Sequence, residues 1–370
     1  MPDYQFVDLR TDDLLATTIA TQPRIGIDTE FIREKTFQAQ LCLVQIATED
    51  EIFCADPMGL DVRGLDVRKS ERARELWRAI TKPVWVVHSA RQDLEVIYQT
   101  VNLMPMEIFD TQVAAALLGY QPQIGYGNLV KELFDVELAK THTRADWSRR
   151  PLPEAYMEYA AEDVQYLLPA CDALTERLEK LGRLDWAHED SNSLLEVSLY
   201  ENDAAQAINR LKGAIYLRGS SRSAAASLAA WREQEAIKRD RPRQWIMRDA
   251  VLLEIAVNRP ATKKRLSATP GLAARTAERA GDHLLSLLAA AESQGSGYVP
   301  PQKPDERQKA MLNNMQRQVA DAAEDIGLAT ELIAPKKDLS SALLGNRNLR
   351  IFRGWRRDYI GRHLLEMLEG

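Results

Sequence analysis

Cysteine is nearly absent from this sequence. Cys42, Cys54 and Cys171 are odd in number, lack CxxC or Cys/His ligand spacing, and each lies in an apolar stretch. That excludes a disulfide framework or a zinc cage and predicts buried free thiols. Long hydrophobic runs are missing too: none approaches the roughly 18 to 20 residues a membrane-spanning helix needs, so membrane insertion is not expected. The opening Met1-Pro2-Asp3-Tyr4-Gln5 has neither the basic region nor the apolar core of a secretory leader, and a cytoplasmic protein is expected. There is no low-complexity tract of any length, and no G-x-x-x-x-G-K-[ST] phosphate loop, which removes a helicase reading.

What is present is the composition of an ordinary folded protein, 45% hydrophobic and 28% charged, in a chain of 370 residues. That length predicts two or three compact units. The net charge of −6 conceals an asymmetry. Residues 1–200 hold 20 basic and 34 acidic residues, net −14, whereas 201–370 hold 28 and 20, net +8. An acidic half joined to a basic half suggests that one part binds cations and the other a polyanion; solvated surfaces of either sign are the bland alternative.

Strand patterns run over Arg24–Phe31, Leu41–Thr48 and Glu51–Ala55, with a short buried strand at Val84–Val87 and another ending at Ile108-Phe109. Helical patterns follow from about Gln92, over Gln112–Leu118, and from Leu152 to about Gly182, with Pro153 near the start and Gly182 near the stop. Strands first and then strands alternating with helices predict an α/β domain with a mixed sheet. Beyond residue 200 the strand signals vanish, helices are predicted over Ala224–Arg239 and Asp249–Val257, and Gly295–Pro304 reads as a linker.

Three short segments carry chemistry. In Ile25-Gly26-Ile27-Asp28-Thr29-Glu30-Phe31 the strand period of two puts Asp28 and Glu30 on one face, with Ile27, Thr29 and Phe31 on the other. Two carboxylates on one face repel unless something positive lies between them, and a hard divalent cation such as Mg²⁺ is the natural partner. In Tyr159-Ala160-Ala161-Glu162-Asp163 the helical spacing of four points a phenol and a carboxylate at the same spot. In His88-Ser89-Ala90-Arg91-Gln92-Asp93, Asp93 enters a helix just after the buried strand. Taken singly, each has a plain structural explanation: a solvated acidic pair, a Tyr packed over a surface Asp, an acid complementing a helix dipole.

Taken together, in this order, they resemble the DEDD exonuclease superfamily, in the branch with Tyr at the position of Tyr159, and within it the ribonuclease D family. The likeness extends to Phe109-Asp110-Thr111-Gln112, to Lys140 through Arg144-Ala145-Asp146-Trp147, and to Arg149-Arg150-Pro151-Leu152, covering most of residues 5–200. Ser227–Leu288 resembles an HRDC domain, a small helical nucleic-acid-binding module, through Leu228, Trp231-Arg232, Arg241-Pro242, Asp249, Leu252, Ala256, Pro260, Leu266 and Pro270-Gly271. Residues 305–370 look like a second, diverged copy ending in Phe352-Arg353-Gly354-Trp355-Arg356-Arg357.

The resemblance implies an RNase H-like α/β exonuclease domain with a mixed sheet over 1–205, an HRDC domain over 206–293 and a second HRDC-like helical domain over 305–370. It implies a 3′–5′ exoribonuclease releasing 5′-mononucleotides, with transfer-RNA precursors carrying 3′ extensions as substrate. A DNA exonuclease and a non-catalytic RNA-binding scaffold are the alternatives, and the five intact motif residues argue against the scaffold. The implied catalytic set is Asp28, Glu30, Asp93, Tyr159 and Asp163, with the four carboxylates holding two divalent ions, Mg²⁺ or Mn²⁺. Thr29, Glu30, Phe31, His88 and Tyr159 would meet the terminal nucleotide, Phe31 or His88 by stacking on its base, although core packing is the better-suited role for Phe31. A cluster of Lys238, Arg239, Arg241, Arg243 and Arg248 around Trp245 suits backbone contact with base stacking, and a fragment ending near residue 205 is expected to keep the cleavage chemistry.

Overall fold

The computed structural model describes the chain apart from Met1 and residues 10–13, 58–70, 140–144, 295–304 and 370. The Lys140–Arg144 stretch of the family likeness and the proposed linker at 295–304 therefore lie outside the described residues. Two compact units are present. The first joins residues 1–32, 41–200 and 304–370; the second joins 33–40 with 201–303.

The first unit is built on one sheet of six strands, β1 (Gln5–Asp8), β2 (Arg24–Ile32), β3 (Gln40–Ala47), β4 (Ile52–Asp56), β5 (Val84–Val87) and β6 (Ile108–Asp110), in the order β1-β4-β3-β2-β5-β6. The pairs β1–β4, β2–β5 and β5–β6 are parallel and β3–β4 is antiparallel, so the sheet is mixed as expected. Five of the strands fall where their apolar patterns place them. The first, Gln5–Asp8, has only Val7 buried, and so short an edge strand leaves no alternation to detect. Leu41, Leu43, Val44 and Ile46 of β3 and Trp85, Val86 and Val87 of β5 form the centre of the core. Gly26 of β2 lets a helix approach the sheet: a Cβ there would lie 3.1 Å from that of Leu167 and 3.3 Å from that of Ala47.

The single helix predicted over Leu152–Gly182 is two, Glu154–Gln165 and Leu167–Lys180. Pro169 explains the break, because it has no N–H to continue the ladder and its ring clashes with the carbonyl four residues back. In the first turn of a new helix both faults vanish, since those N–H groups are unpaired anyway. The Tyr126 hydroxyl bridges the discontinuity, accepting from Tyr166 N at 2.9 Å and donating to the Glu162 carbonyl at 3.3 Å.

Residues 305–370 were expected as a domain of their own, and the structure puts them in the first unit. Leu312, Met315, Val319, Ile333, Leu339, Ile351, Trp355 and Leu364 share one hydrophobic core with Phe109, Leu117, Val164, Leu167 and Leu174. Trp186 and Trp355 stack with centroids 4.2 Å apart and planes 6° from parallel. Arg356, 2% exposed, grips Asp190 with both terminal nitrogens at 2.5 and 2.7 Å and donates from Nε to the Leu332 carbonyl at 2.6 Å. A helical segment patterned for burial does not say in its sequence what buries it, and here the partner is the exonuclease-like domain.

The second unit is helical. Helices Gly219–Arg239, Asp249–Asn258 and Ala274–Gln294 enclose Leu228, Trp231, Leu252, Ile255, Leu284 and Leu288. Three ion pairs lock it. Arg232, 3% exposed, donates to Asp249 at 2.5 Å and to the Met247 carbonyl at 3.0 Å, while buried Glu233 accepts from Arg243 at 2.5 and 2.6 Å and from Arg210 at 3.1 Å. The segment between β2 and β3 belongs to this unit: Phe37 N and Gln38 N donate to Asp240 at 3.0 and 3.3 Å, and the Arg243 guanidinium lies 4.5 Å over the Phe37 ring.

Candidate active site

Strand alternation places the first motif as predicted. Ile27 and Thr29 are buried, whereas Asp28 and Glu30 emerge half-buried on the other face. The helix Glu154–Gln165 brings Asp163 to the same place, and one carboxylate oxygen from each of Asp28, Glu30 and Asp163 falls within 4.8 Å of the others. Asp93 lies just outside that trio. Its Oδ1 accepts from the Thr29 hydroxyl at 2.5 Å, so Thr29 positions the carboxylate from behind the strand. Tyr159 stands one turn before Asp163 and its hydroxyl donates to that carboxylate, while its ring lies 6.3 Å from that of buried Trp147.

The electrostatics follow from burial and crowding. Burial, then the charges of Asp93, Asp163 and Glu30, holds Asp28 well above the usual carboxylate range. Burial, with Asp163 and Asp93 nearby, pushes Glu30 up to about 9. Asp163 rises to about 7, mainly through burial and against the lowering effect of the Tyr159 hydrogen bond, and Asp93 to about 6 by burial. The Tyr159 phenol is raised by burial and by the surrounding carboxylates.

These carboxylates destabilise the fold when charged. Their folded pKa values exceed the unfolded ones, so the associated stability is complete at pH values below about 4 and is lost as pH rises through about 6 to 9. The melting temperature in chelator is therefore expected to fall across that window. Mn²⁺ or Mg²⁺ would displace the protons and restore it, more at pH 8.5 than at pH 6. Thermal melts along a pH series, with and without metal, read this directly; a metal effect that does not grow with pH would contradict it. Three convergent, crowded carboxylates are the hard-oxygen donor set that divalent ions take, so the residues fit the cofactor the sequence implies.

A network behind the site sets the second motif. Ser89, with φ +63°, carries the chain out of β5 in a left-handed turn. Ser89 N and Ala90 N donate to Asp110 at 3.0 and 2.9 Å, and Asp110 also caps the helix Thr111–Leu117 by accepting from Gln112 N and Val113 N at 2.9 and 3.4 Å. The four N–H groups converge on one buried carboxylate and fix the start of the helix carrying Asp93. The third motif is anchored through Arg150, which meets Asp56 at 2.6 and 2.8 Å and donates to the Cys42 carbonyl at 2.6 Å.

His88, expected at the terminal base, is half-buried and engages both ring nitrogens within the fold. Its Nε2 donates to the Ile124 carbonyl at 2.9 Å, and its Nδ1 lies 2.9 Å from Thr111 Oγ1, whose hydroxyl donates to the Val87 carbonyl at 2.9 Å; burial lowers the pKa of the ring. Both nitrogens serve the fold, and the ring packs 5.6 Å from Tyr126. Phe31 is only half-buried at the end of β2, outside the core that its spacing also suited. A cleft of about 250 Å³ beside the site, lined by Gly125, Tyr126, Asn128, Leu138, Tyr159 and Asp163, was not anticipated. Its one sequence signal is the Gly125-Tyr126-Gly127-Asn128 run, where small residues leave a helix start open. All three cysteines are free and buried as expected, and burial pushes Cys42 and Cys54 up to about 12.

Comparison with known proteins places this geometry. The profile of a 3′–5′ exonuclease family matches residues 9–179, and that of the HRDC domain matches residues 221–288. Ribonuclease D of Gluconacetobacter diazotrophicus is 35% identical, with 97% of this chain and 92% of that protein covered. Ribonuclease D of Pseudomonas paraeruginosa is also 35% identical, with 100% and 98% covered. The crystal structure of Escherichia coli RNase D, described as an exoribonuclease involved in structured RNA processing, superposes with a TM-score of 0.87 at 26% identity and covers 99% of both chains.

Proposed function

Since the chain belongs to the ribonuclease D family and is a 3′–5′ exoribonuclease, we propose that Asp28, Glu30, Asp93, Tyr159 and Asp163 are its catalytic residues, acting with two divalent ions, Mg²⁺ or Mn²⁺, on transfer-RNA precursors with 3′ extensions. The observation that carries this reading is the convergence of three carboxylate oxygens within 4.8 Å, with the Tyr159 hydroxyl hydrogen-bonded to the Asp163 carboxylate. Divalent ions supply a Lewis acid that makes water nucleophilic near neutral pH and offsets charge on the attacking and leaving oxygens.

Asp28, Glu30 and Asp163 would hold the ions, with Asp93 completing the cage under the control of Thr29. Tyr159 is a donor and not a base: its raised pKa keeps the phenol protonated at neutral pH, so it orients the Asp163 carboxylate and positions the attacking water. Glu30, with the backbone at Thr29, would receive the terminal 3′ hydroxyl, and Phe31 or His88 would contact the last base. The oxygen of water attacks the terminal phosphorus, the bond to the preceding 3′ oxygen breaks, and a 5′-mononucleotide leaves with a new 3′ hydroxyl on the shortened chain. Residues 206–293 are read as the HRDC domain, and 305–370 as a diverged HRDC-like segment docked on the catalytic core. No helix among the described residues is long and apolar enough to cross a membrane, and a cytoplasmic location is part of this proposal.

Purified protein supplied with 3′-extended transfer RNA is expected to release 5′-mononucleotides only with Mg²⁺ or Mn²⁺ and only from ends bearing a free 3′ hydroxyl. Internal cuts would refute the reading, and equal turnover of matched single-stranded DNA would favour the DNA exonuclease instead. Tyr159→Phe keeps the ring and removes only the hydroxyl. Turnover is expected to fall by roughly 10² to 10⁴ with RNA affinity nearly unchanged, the effect of a positioned catalytic group. An unaltered rate at saturating RNA would reduce Tyr159 to a packing residue.

A further inference from the structure

The excess of basic residues is not spread over the C-terminal half. Residues 201–303 hold 17 basic and 10 acidic residues, net +7, whereas 304–370 hold 11 and 10. Within the second unit the cations divide by environment. Arg232 is paired with Asp249, and Arg243 and Arg210 share Glu233. Arg243, which the sequence grouped with the surface cluster, is thus part of the scaffold. Arg248, Arg275 and Arg279 are exposed and form no ion pair among the described residues.

Those three arginines flank one aromatic residue. Trp245 is 60% exposed, on the short helix Arg243–Ile246, with the Arg241 guanidinium 5.9 Å from its ring centroid. Two clefts meet at its side chain. One, of about 400 Å³, is lined by Arg239, Arg275 and Arg279 with Trp231; the other, of about 630 Å³, by Gln244, Arg248 and Leu272. Neither is lined by an acidic residue. Both volumes are within the range of small-ligand sites, so a flattened base and its phosphate can enter. An exposed indole face flanked by guanidinium groups without ion-pair partners suits a ligand that offers both a π-face to stack and negative charge beside it, and an unpaired nucleotide supplies both.

We propose that Trp245 is a stacking platform for an unpaired base of the substrate's folded body, with Arg275 and Arg279 on one side and Arg248 on the other holding the flanking phosphates. The inference rests on the exoribonuclease reading and adds to it a second RNA-binding site, built entirely within the HRDC unit. An acidic protein segment would satisfy the arginines and leave the indole without a partner, which is why RNA is the favoured occupant.

The test uses the full-length protein and its Trp245→Ala, Trp245→Phe and Arg275→Ala/Arg279→Ala variants, each checked by thermal melting. Binding of 3′-extended transfer RNA is measured in chelator over a salt series, and turnover is measured on a short single-stranded RNA. Trp245→Ala is expected to weaken binding of the folded RNA roughly 5- to 150-fold, the effect of losing one stacked base, while Trp245→Phe retains most of the affinity. The double arginine variant should also flatten the slope of log affinity against log salt by about 1.4 to 1.8, two phosphate contacts' worth. Turnover of the short RNA is expected to stay at the wild-type level in all three. Unchanged affinity in Trp245→Ala, or a Phe variant as weak as Ala, would overturn the stacking proposal; unchanged affinity in every variant would leave the clefts to a protein ligand. A wild-type protein inactive on both RNAs would instead refute the exoribonuclease reading, which the binding measurements do not require.

Discussion

Asp28→Asn is expected to lower turnover by about 10³-fold or more while raising the melting temperature of the metal-free protein. The two effects share a cause. Asp28 sits where burial and three neighbouring carboxylates all oppose its charge. Removing that charge relieves repulsion within the fold and would dismantle the cage proposed for divalent ions. Ions stabilising attacking and leaving oxygens contribute several kcal/mol, and each 1.4 kcal/mol or so is tenfold in rate. Glu30→Gln and Asp163→Asn should behave alike. Asp93→Asn, whose amide oxygen can still accept from Thr29, should also lose most of the activity. Steady-state rates with saturating Mg²⁺, paired with melts in chelator, test both halves. Near-wild-type turnover would remove Asp28 from the cage, and a lowered melting temperature would show that activity was lost by unfolding.

Ending the chain near residue 205 is expected to abolish folding of the catalytic unit, contrary to what the sequence alone suggests. All five proposed catalytic residues precede that point, but Leu312, Met315, Ile351, Trp355 and Leu364 cover the helices behind the sheet. The most pointed version of this experiment is Arg356→Ala, which strips buried Asp190 of its bidentate partner. Breaking such a pair from one side costs about 3 to 5 kcal/mol. Arg350, 3.1 Å from the same carboxylate, offsets part of that. The loss should reach the active site, because the helix that carries Asp190, Leu184–Asn192, holds β6 through Ser191 Oγ accepting from Asp110 N and Asn192 Oδ1 accepting from Ile108 N, and Asp110 fixes the turn before Asp93. Asp190→Leu/Arg356→Met, which removes both charges and fills the space, is expected to regain most of the lost stability. Urea unfolding of the three proteins decides it; a stable, active fragment ending near 205 would separate the C-terminal helices from the catalytic fold.

The contrast between these two experiments shows where sequence reading succeeds. Asp28 and Glu30 share a face because a strand alternates, and Tyr159 and Asp163 share one because a helix turns every 3.6 residues, so local geometry alone assembles most of the site. The Pro169 break was visible as a residue but was absorbed by the strong apolar period on either side of it. Tyr126, which heals that break and lines the cleft beside Asp163, lies some 40 positions away and carries no periodic signal. The segment 305–370 has the amphipathic pattern of a bundle, and amphipathicity states that a face is buried without stating against what. Arg243 looks like its exposed neighbours because charge in a sequence does not reveal the buried Glu233 that cancels it.

The order in which the first unit's pieces occur along the chain bears on how the enzyme is made. The catalytic strands and helices leave the ribosome first, yet the residues that complete their core begin at 304. At a synthesis rate of about 5 to 20 residues per second, roughly 8 to 30 s separate the emergence of Tyr200 from that of Arg356. Throughout that interval the nascent chain must keep the apolar backs of its catalytic helices from aggregating, which makes it a natural client of chaperones at the ribosome exit. The delay also acts as a safeguard. A chain interrupted before the last helices lacks the contacts that complete the core of the unit carrying the proposed catalytic residues, so a prematurely terminated product is expected to be unfolded and inactive.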